Sequence, residues 1–364
     1  MKEVVQIVPR LPPVIDGIGD YAVNLARRLR KDFGINTHFI VCDPAWNGAT
    51  ELEAFPVSRL TERSVSAITS LLSNEFYYSS TILLQYSGYG YEKRGCPQWL
   101  VSGLQRWRRM NQERRLITMF HELFAYGPVW TSSFWLSSLQ KKLAARLVRL
   151  SDRSLTNREA YAAILYRLGQ SRDRHIPVMP VFSNVGEPEC LPPALAERKR
   201  RRLAVFGNRG HRHSVFQKSL NALSRTCKAF DIDEILDIGP HAGHGVTRIN
   251  NIPVISTGAQ TAQEVSSLLL TSIVGFFSYP TDYLGKSGVF AAYCAHRLLP
   301  IGVCDNGRPA DGLTHEHHFW LAEFHKDKWS LDAGQDVANN AYRWYHEHNL
   351  SKHADVFATC LMTG

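Results

Sequence analysis

The chain has no C-x-x-C pair: its 7 cysteines, at 42, 96, 190, 227, 294, 304 and 360, are scattered over 364 residues. That spacing excludes a zinc-ribbon ligand set and the dense bridging of a small secreted scaffold, and it points to reduced thiols in a cytosolic protein. No apolar run approaches the ~20 residues needed to span a bilayer. Met1 leads directly into an apolar strand, without the charged, apolar and small-residue regions of a signal peptide. A cytoplasmic protein, at most peripheral to a membrane, is the expectation.

Several ligand motifs are missing as well. Gly17-Ile18-Gly19 is not a dinucleotide fingerprint, because no third glycine follows in register. Gly285-Lys286-Ser287 is not a P-loop, because Pro280 stands where the first glycine of that motif belongs. His315, Glu316, His317 and His318 do not share one helix face and H-E-x-x-H is absent, so no metal site is expected. The formal net charge is +9. It suits a polyphosphate ligand, an anionic membrane surface or simply a basic exterior. No nucleic-acid partner is expected, since no recognised nucleic-acid module accompanies the charge.

What is present is a repeated pattern of strand, turn and helix in a chain long enough for two domains. Glu3–Val8 predicts a short strand and Pro9–Asp20 a loop rich in proline and glycine. Tyr21–Lys31 has helical spacing, with Ala22, Leu25, Ala26 and Leu29 on one face. Thr37–Val41 predicts the next strand, and this order is that of a Rossmann-like half-domain. Thr81–Gln85 is another buried strand, followed by a Gly/Tyr loop through Tyr91 that is either a sugar-stacking surface or a plain turn. Trp99–Met110 predicts a helix, and Leu116–Phe120 a strand ending at His121-Glu122. His121, beside Glu122, can hydrogen-bond a ligand hydroxyl; the plainer reading is a strand-end histidine held in the core. The helix expected over Trp130–Leu150 carries Trp130, Phe134 and Trp135 with Lys141, Lys142, Arg146 and Arg149. It reads either as a core-packed aromatic stripe or as a membrane-surface helix.

Val178–Pro193 is the linker candidate, and the basic run Arg198–Arg202 reads as a solvated face. Beyond it come the strand Leu203–Phe206, a loop Gly207–His213 with Arg209 and Arg212, and a helix Ser214–Phe230. Glu234–Ile238 and Pro253–Ser256 predict strands, Ala262–Leu270 a helix and Asp336–Asn349 the last helix. Between them, Ile273–Phe277 is an apolar strand and Tyr279–Asp282 a turn. Gly285-Lys286-Ser287-Gly288 then opens a helix over Val289–Leu299, which Pro300 ends before a strand at Ile301. The N-terminus of such a helix can hold an anion.

The stretch Val274–Gly302 resembles the donor-binding segment of GT-B glycosyltransferases, closest to the retaining family-four group. With Pro300-Ile301 on the family's Pro-Val and Gly288 on its motif glycine, the spacing matches without a gap; the two motif glutamates fall on Gly285 and Tyr293. The run from Ser256 to Pro280 follows the family pattern too, and Gly17-Ile18-Gly19 is similar to its first cleft-facing loop. The resemblance covers most of the chain. It implies an α/β GT-B fold, two Rossmann-like domains facing a cleft. Residues 1–180 would form the acceptor-side domain, 181–200 a linker, 201–335 the nucleotide-sugar domain, and 336–364 a C-terminal helix crossing back to the first.

The implied reaction is retaining, metal-independent transfer of a sugar from a nucleotide-sugar to a hydroxyl acceptor, with no cofactor beyond that co-substrate. In that scheme His121 touches sugar or acceptor, while Arg209, Arg212, Lys286, Ser287 and Gly288 hold the donor diphosphate. Tyr293 lies on the nucleotide side, and Gly17, Ile18 and Gly19 line the cleft loop. The expected partners are a nucleotide-sugar, a glycosyl acceptor and a membrane surface. The rival expectation, from the two absent glutamates, is a non-catalytic GT-B protein that binds a nucleotide, a sugar or a protein.

Overall fold

The computed structural model describes residues 2–73, 81–125, 132–169, 175–304, 307–324 and 329–362; for 132–134 it describes the backbone alone. The chain divides into two compact units, Met1–Met179 with Leu350–Gly364, and Pro180–Asn349.

The first unit runs β1 (Lys2–Val8), α1 (Gly17–Phe33), β2 (Ile35–Val41), β3 (Glu51–Leu52), β4 (Phe55–Arg59), α2 (Val65–Leu72), β5 (Thr81–Tyr86) and α3 (Gly88–Tyr91). It continues through α4 (Gln98–Met110), β6 (Leu116–Phe120), α5 (Ser132–Leu150), β7 (Arg153–Thr156) and α6 (Glu159–Gly169). The second runs β8 (Arg202–Phe206), α7 (Arg209–Lys218), α8 (Leu220–Ala229), β9 (Glu234–Ile238), β10 (Arg248–Ile249), β11 (Ile252–Gly258) and α9 (Ala262–Leu270). It ends with β12 (Val274–Ser278), α10 (Gly288–Ala295), β13 (Leu299–Val303), β14 (Trp320–Leu321) and α11 (Leu331–His346). The last helix, α12 (Leu350–Met362), belongs to the first unit.

Each unit holds a seven-stranded sheet, ordered β3-β4-β2-β1-β5-β6-β7 and β10-β11-β9-β8-β12-β13-β14. All neighbours pair in parallel except the short outer hairpins β3–β4 and β10–β11. Parallel strands covered on both faces need apolar side chains on both. Val4–Val8, Leu116–Phe120 and Leu203–Val205 are accordingly continuous buried runs. Trp107 of α4 is fully buried in the first core and Phe276 of β12 in the second. Each large apolar side chain so placed contributes roughly 1.5–3 kcal/mol.

The elements depart from expectation in four instructive places. The glycine loop is the first turn of α1, because the Asp16 side chain accepts from the backbone N–H of Ile18 and Gly19 and starts the helix early. The helix expected over Ser214–Phe230 is two, α7 beginning at Arg209 on an Asn208 cap and breaking at Ser219. α10 stops at Ala295, since Arg297 turns left-handed (φ 54°) and delivers Leu299 into β13. Pro300 is tolerated inside β13 because β14 pairs only with Ile301 and Gly302. At the C-terminus the single expected helix is α11, which stays in the second unit, and a separate α12 packed on α1. Arg28 reaches Ser351 Oγ at 3.1 Å, and Arg115 donates to the carbonyls of Cys360 and Leu361 at 2.9 and 3.1 Å.

The basic run is not uniformly solvated. Arg198 is buried, and its guanidinium donates to the carbonyls of Leu269, Ser272, Pro193, His296 and Arg297. It thereby neutralises the carbonyl-rich ends of α9 and α10 at once. Burial, with Arg297 adding repulsion, pushes its pKa down to about 10.

Candidate active site

In an open parallel sheet, ligands collect outside the carboxyl ends of the strands where the winding direction reverses. In the second unit that point lies between β8 and β12, on either side of which the chain winds outward in opposite directions. Gly207, Asn208 and the start of α7 follow β8; the 3-10 turn Thr281–Lys286 and the start of α10 follow β12.

Both helix N-termini at this edge carry neutral caps. Asn208 Oδ1 accepts from His211 N at 2.9 Å, and Ser287 Oγ from Phe290 N at 3.2 Å. Neither helix has an acidic residue in its first turn. Arg209 is exposed at the first position of α7, where a cation opposes the helix dipole and a bound anion would relieve it. Its Nη2 lies 3.3 Å from where a Cβ on Gly243 would sit, so the bare left-handed Gly243 (φ 68°) leaves it room. Lys286 Nζ stands 5.7 Å from the centre of the Tyr283 ring, within cation–π range. Gly288 opens α10 where a Cβ would meet Asn184 Oδ1 at 3.2 Å.

Two residues assigned to the donor from sequence do other work. Arg212 is fully buried: Nη1 lies 2.5 Å from Asp237 Oδ1 and Nε donates to Gly207 O at 3.0 Å. The second oxygen of Asp237 receives Ser256 Oγ at 2.9 Å and His244 Nε2 at 3.0 Å. His244 Nδ1 in turn accepts from Val246 N at 3.1 Å, which leaves its proton on Nε2. Because α7 begins at Arg209, position 212 falls one turn in and faces the sheet, not the ligand edge. Its guanidinium secures the Gly207 turn.

Tyr293 is likewise a core residue. Its hydroxyl accepts from Phe206 N at 2.9 Å and lies 3.1 and 3.2 Å from the carbonyls of Phe276 and Ala204. Its ring fills the space of a side chain at Gly275, where a Cβ would be 2.4 Å from it. The spacing to Gly288 gave the position but not the helix face.

Gly285 is buried, and a Cβ there would lie 2.9 Å from Asp311 Oδ2. Asp311 is held left-handed (φ 57°), and its carbonyl accepts from Trp344 Nε1 at 3.0 Å. A carboxylate therefore stands over position 285 from a loop 26 positions on. Nothing in the local pattern of Asp311 announced it. His211 also escaped the sequence reading: its Nε2 accepts from Ser278 N at 3.2 Å, tying α7 to the end of β12. Burial, helped by the charge of Arg212, holds it down at about 4, so it is a neutral acceptor.

In the first unit the reversal lies between β1 and β5. Here α1 presents a different N-terminus, since the Asp16 carboxylate takes the Ile18 and Gly19 amides at 3.0 and 2.9 Å. An anionic cap closes that end to another anion. Gly19 is buried where a Cβ would lie 2.5 Å from Arg10 O, while Gly17 is exposed with nothing nearby and Ile18 is half-buried. One turn on, burial and the neighbouring Asp16 raise the Asp20 carboxyl to about 6.

His121 follows β6, largely buried, with Nε2 2.8 Å from Gln85 Oε1. Gln85 Nε2 donates to Gln6 Oε1 at 3.0 Å, which turns the Gln85 oxygen toward the imidazole. Beside it, Ser87 Oγ donates to Glu122 Oε2 at 2.8 Å. Of the Gly/Tyr loop, Tyr91 is buried with its hydroxyl on Ile7 O and Gln85 O, leaving Tyr89 as the exposed ring.

On α5, Trp135, Lys141 and Lys142 are exposed; Trp130 and the Phe134 side chain lie outside the described residues. Among the described residues no helix is long and apolar enough to cross a membrane, and no three metal-ligating side chains gather. His315 Nε2 and His318 Nδ1 instead accept from the backbone N–H of Leu321 and Thr314.

No protein-family model and no curated protein sequence matches the chain. Its architecture does match solved structures over the whole length. One is trehalose-6-phosphate synthase OtsA, with TM-score 0.62 and 10% identity over 100% of this chain and 99% of that one. A second is alpha-glucosyltransferase AGT in complex with UDP, with TM-score 0.60 and 10% identity over 100% of both chains. A third is the pneumococcal O-GlcNAc transferase GtfA in complex with UDP and GlcNAc, with TM-score 0.57 and 9% identity over 99% of this chain and 98% of that one. The chain thus has the two-domain α/β fold of GT-B glycosyltransferases.

Proposed function

We propose that the chain is a glycosyltransferase that moves a sugar from a nucleotide-sugar to a hydroxyl acceptor, with retention of configuration and without a metal. The observation that carries this reading is the β8/β12 edge, where two neutral-capped helix N-termini converge with Arg209 and Lys286 on a full-length GT-B fold. Negative charge develops on the departing diphosphate as the sugar–oxygen bond breaks. Preorganised cations and backbone N–H groups aimed at that charge lower the barrier. Arg209 supplies the planar fork suited to phosphate, Lys286 a point charge, and Ser287 and Gly288 the open turn of α10. Arg212 acts from beneath by holding the Gly207 turn. Asp311 offers a carboxylate to the sugar at the position where the resemblance puts the first acid.

His121 touches the acceptor or sugar hydroxyl at the edge of the first sheet. Exposed Trp135, Lys141 and Lys142 on α5 suit contact with an anionic membrane surface.

The specific observation favouring the second reading, a non-catalytic GT-B protein that binds a nucleotide, a sugar or a protein, is that Gly285 and the core residue Tyr293 stand where the resemblance puts the two motif acids. A thermal-shift screen of UDP-, GDP-, ADP- and CDP-sugars, followed by an assay for released nucleoside diphosphate, separates the two. Selective stabilisation lost in Arg209→Ala and Lys286→Ala, with turnover, supports the transferase. Binding without turnover on any acceptor, or no binding of any nucleotide-sugar, defeats the transferase and favours the second reading.

A further inference from the structure

Tyr21 of α1 stands between two histidines from distant parts of the chain. Its ring meets His121 edge-on, centroids 4.9 Å apart at 83°, and meets His353 of α12 at 5.6 Å and 77°. Its hydroxyl lies 2.8 Å from His353 Nδ1, across 332 positions of sequence. Tyr21 is 4% exposed and His353 0%.

We propose that His353 is a positioning residue for His121, acting through Tyr21. The inference rests on the reading of His121 as the hydroxyl-contacting residue and names what holds it. A buried imidazole costs free energy unless hydrogen-bonded, and the rest of the α12 face, Ala354, Phe357, Ala358 and Leu361, is apolar. Packing alone would be met by another apolar side chain at 353. A histidine there instead grips the far end of the Tyr21 ring, whose near end is fixed on α1. With both ends held, Tyr21 becomes a rigid wall against His121.

The imidazole is also held by the Gln85 oxygen. That bond puts the proton of neutral His121 on Nε2 and leaves Nδ1 as its acceptor nitrogen. The wall and the hydrogen bond together set ring orientation and tautomer. α12 is anchored independently at its two ends by Arg28–Ser351 and by Arg115 on the Cys360 and Leu361 carbonyls. The helix therefore has attachments that survive a change at 353.

The test compares Tyr21→Phe, His353→Phe, their double variant and His353→Asn, whose side-chain oxygen can stand in for Nδ1. Two readouts are taken on the full-length protein: the imidazole 15N resonances of His121, and kcat and KM with the best donor from the screen. The first two variants are expected to move or broaden the His121 resonances. They should also lower kcat roughly tenfold with donor KM within about twofold, as misplacement of a reacting group does. The double variant should be no worse than either single, and His353→Asn should recover most of the loss. Unchanged His121 resonances in folded Tyr21→Phe and His353→Phe overturn the proposal whatever the activity. If His353→Phe does not fold, Tyr21→Phe decides on the same resonances: unchanged they overturn the proposal. If no donor is turned over, the resonances still decide, so failure of the transferase reading is distinguishable from failure of this one.

Discussion

Arg212 and Asp237 form an ion pair of 2.5 Å with side chains 0% and 2% exposed, while Arg209, three positions earlier, lies exposed at the helix end. The two arginines should therefore part company. Removing one partner of a buried pair strands a charge, so Arg212→Ala is expected to cost about 3–5 kcal/mol in denaturant unfolding. Arg209→Ala should change stability by no more than about 0.5 kcal/mol. It should nonetheless abolish stabilisation by the nucleotide-sugar. The reverse ranking would return Arg212 to the ligand.

The glycines of the first turn of α1 differ in the same way. A Cβ at 19 would sit 2.5 Å from the backbone oxygen of Arg10, whereas nothing lies within 4 Å of one at 17. Gly19→Ala must shift backbone and is expected to lower the melting temperature by several degrees. Gly17→Ala should leave it unchanged or raise it slightly, through reduced freedom of the unfolded chain.

Asp20 gives a pH dependence of defined sign. Its carboxyl rises from the ordinary 3.8 to about 6, so the folded protein holds this proton more tightly than the unfolded chain. Stability is full below pH 3.8 as far as this group is concerned and is lost as pH climbs through 6. Asp20→Asn should therefore stabilise the protein at pH 8, by at most about 3 kcal/mol, and have little effect near pH 4. An equal effect at both pH values, measured by urea unfolding, would show that ionisation is not the cause.

His296 titrates the other way. Its Nδ1 donates to Ala292 O at 2.8 Å and its Nε2 accepts from Ser266 Oγ at 2.7 Å, while burial holds it at about 4. A depressed histidine contributes stability that is present above pH 6.5 and lost as pH falls through 4. His211, held at about 4 by burial, adds to the same acid limb. Urea midpoints should fall across this window, and less steeply in His296→Gln than in the native chain.

Fold was legible because its signals are local and periodic. Apolar runs such as Leu116–Phe120 and Glu234–Ile238 are the observed strands residue for residue, as is the helix Ala262–Leu270. The alternation of strand and helix was enough to expect two Rossmann-like halves. What was legible of the proposed site is position along the chain: Arg209 at a helix start, Lys286 in the turn before α10, Gly288 at its first residue, His121 just after a strand. What was not legible is rotation about a helix axis. Arg212 and Tyr293 each stand where a pattern suggested a ligand, and each faces the sheet because the helix starts at Arg209 or Gly288 and turns about 100° per residue.

The sequence by itself determined the elements, their order, and which turns carry cations beside glycine. Only tertiary structure decided what meets across long separations. Asp311 comes to stand over Gly285, and Asp237 to neutralise Arg212. His353 reaches Tyr21 from the other end of the chain. Such pairings are set by how layers pack around a core, and no local periodicity records them.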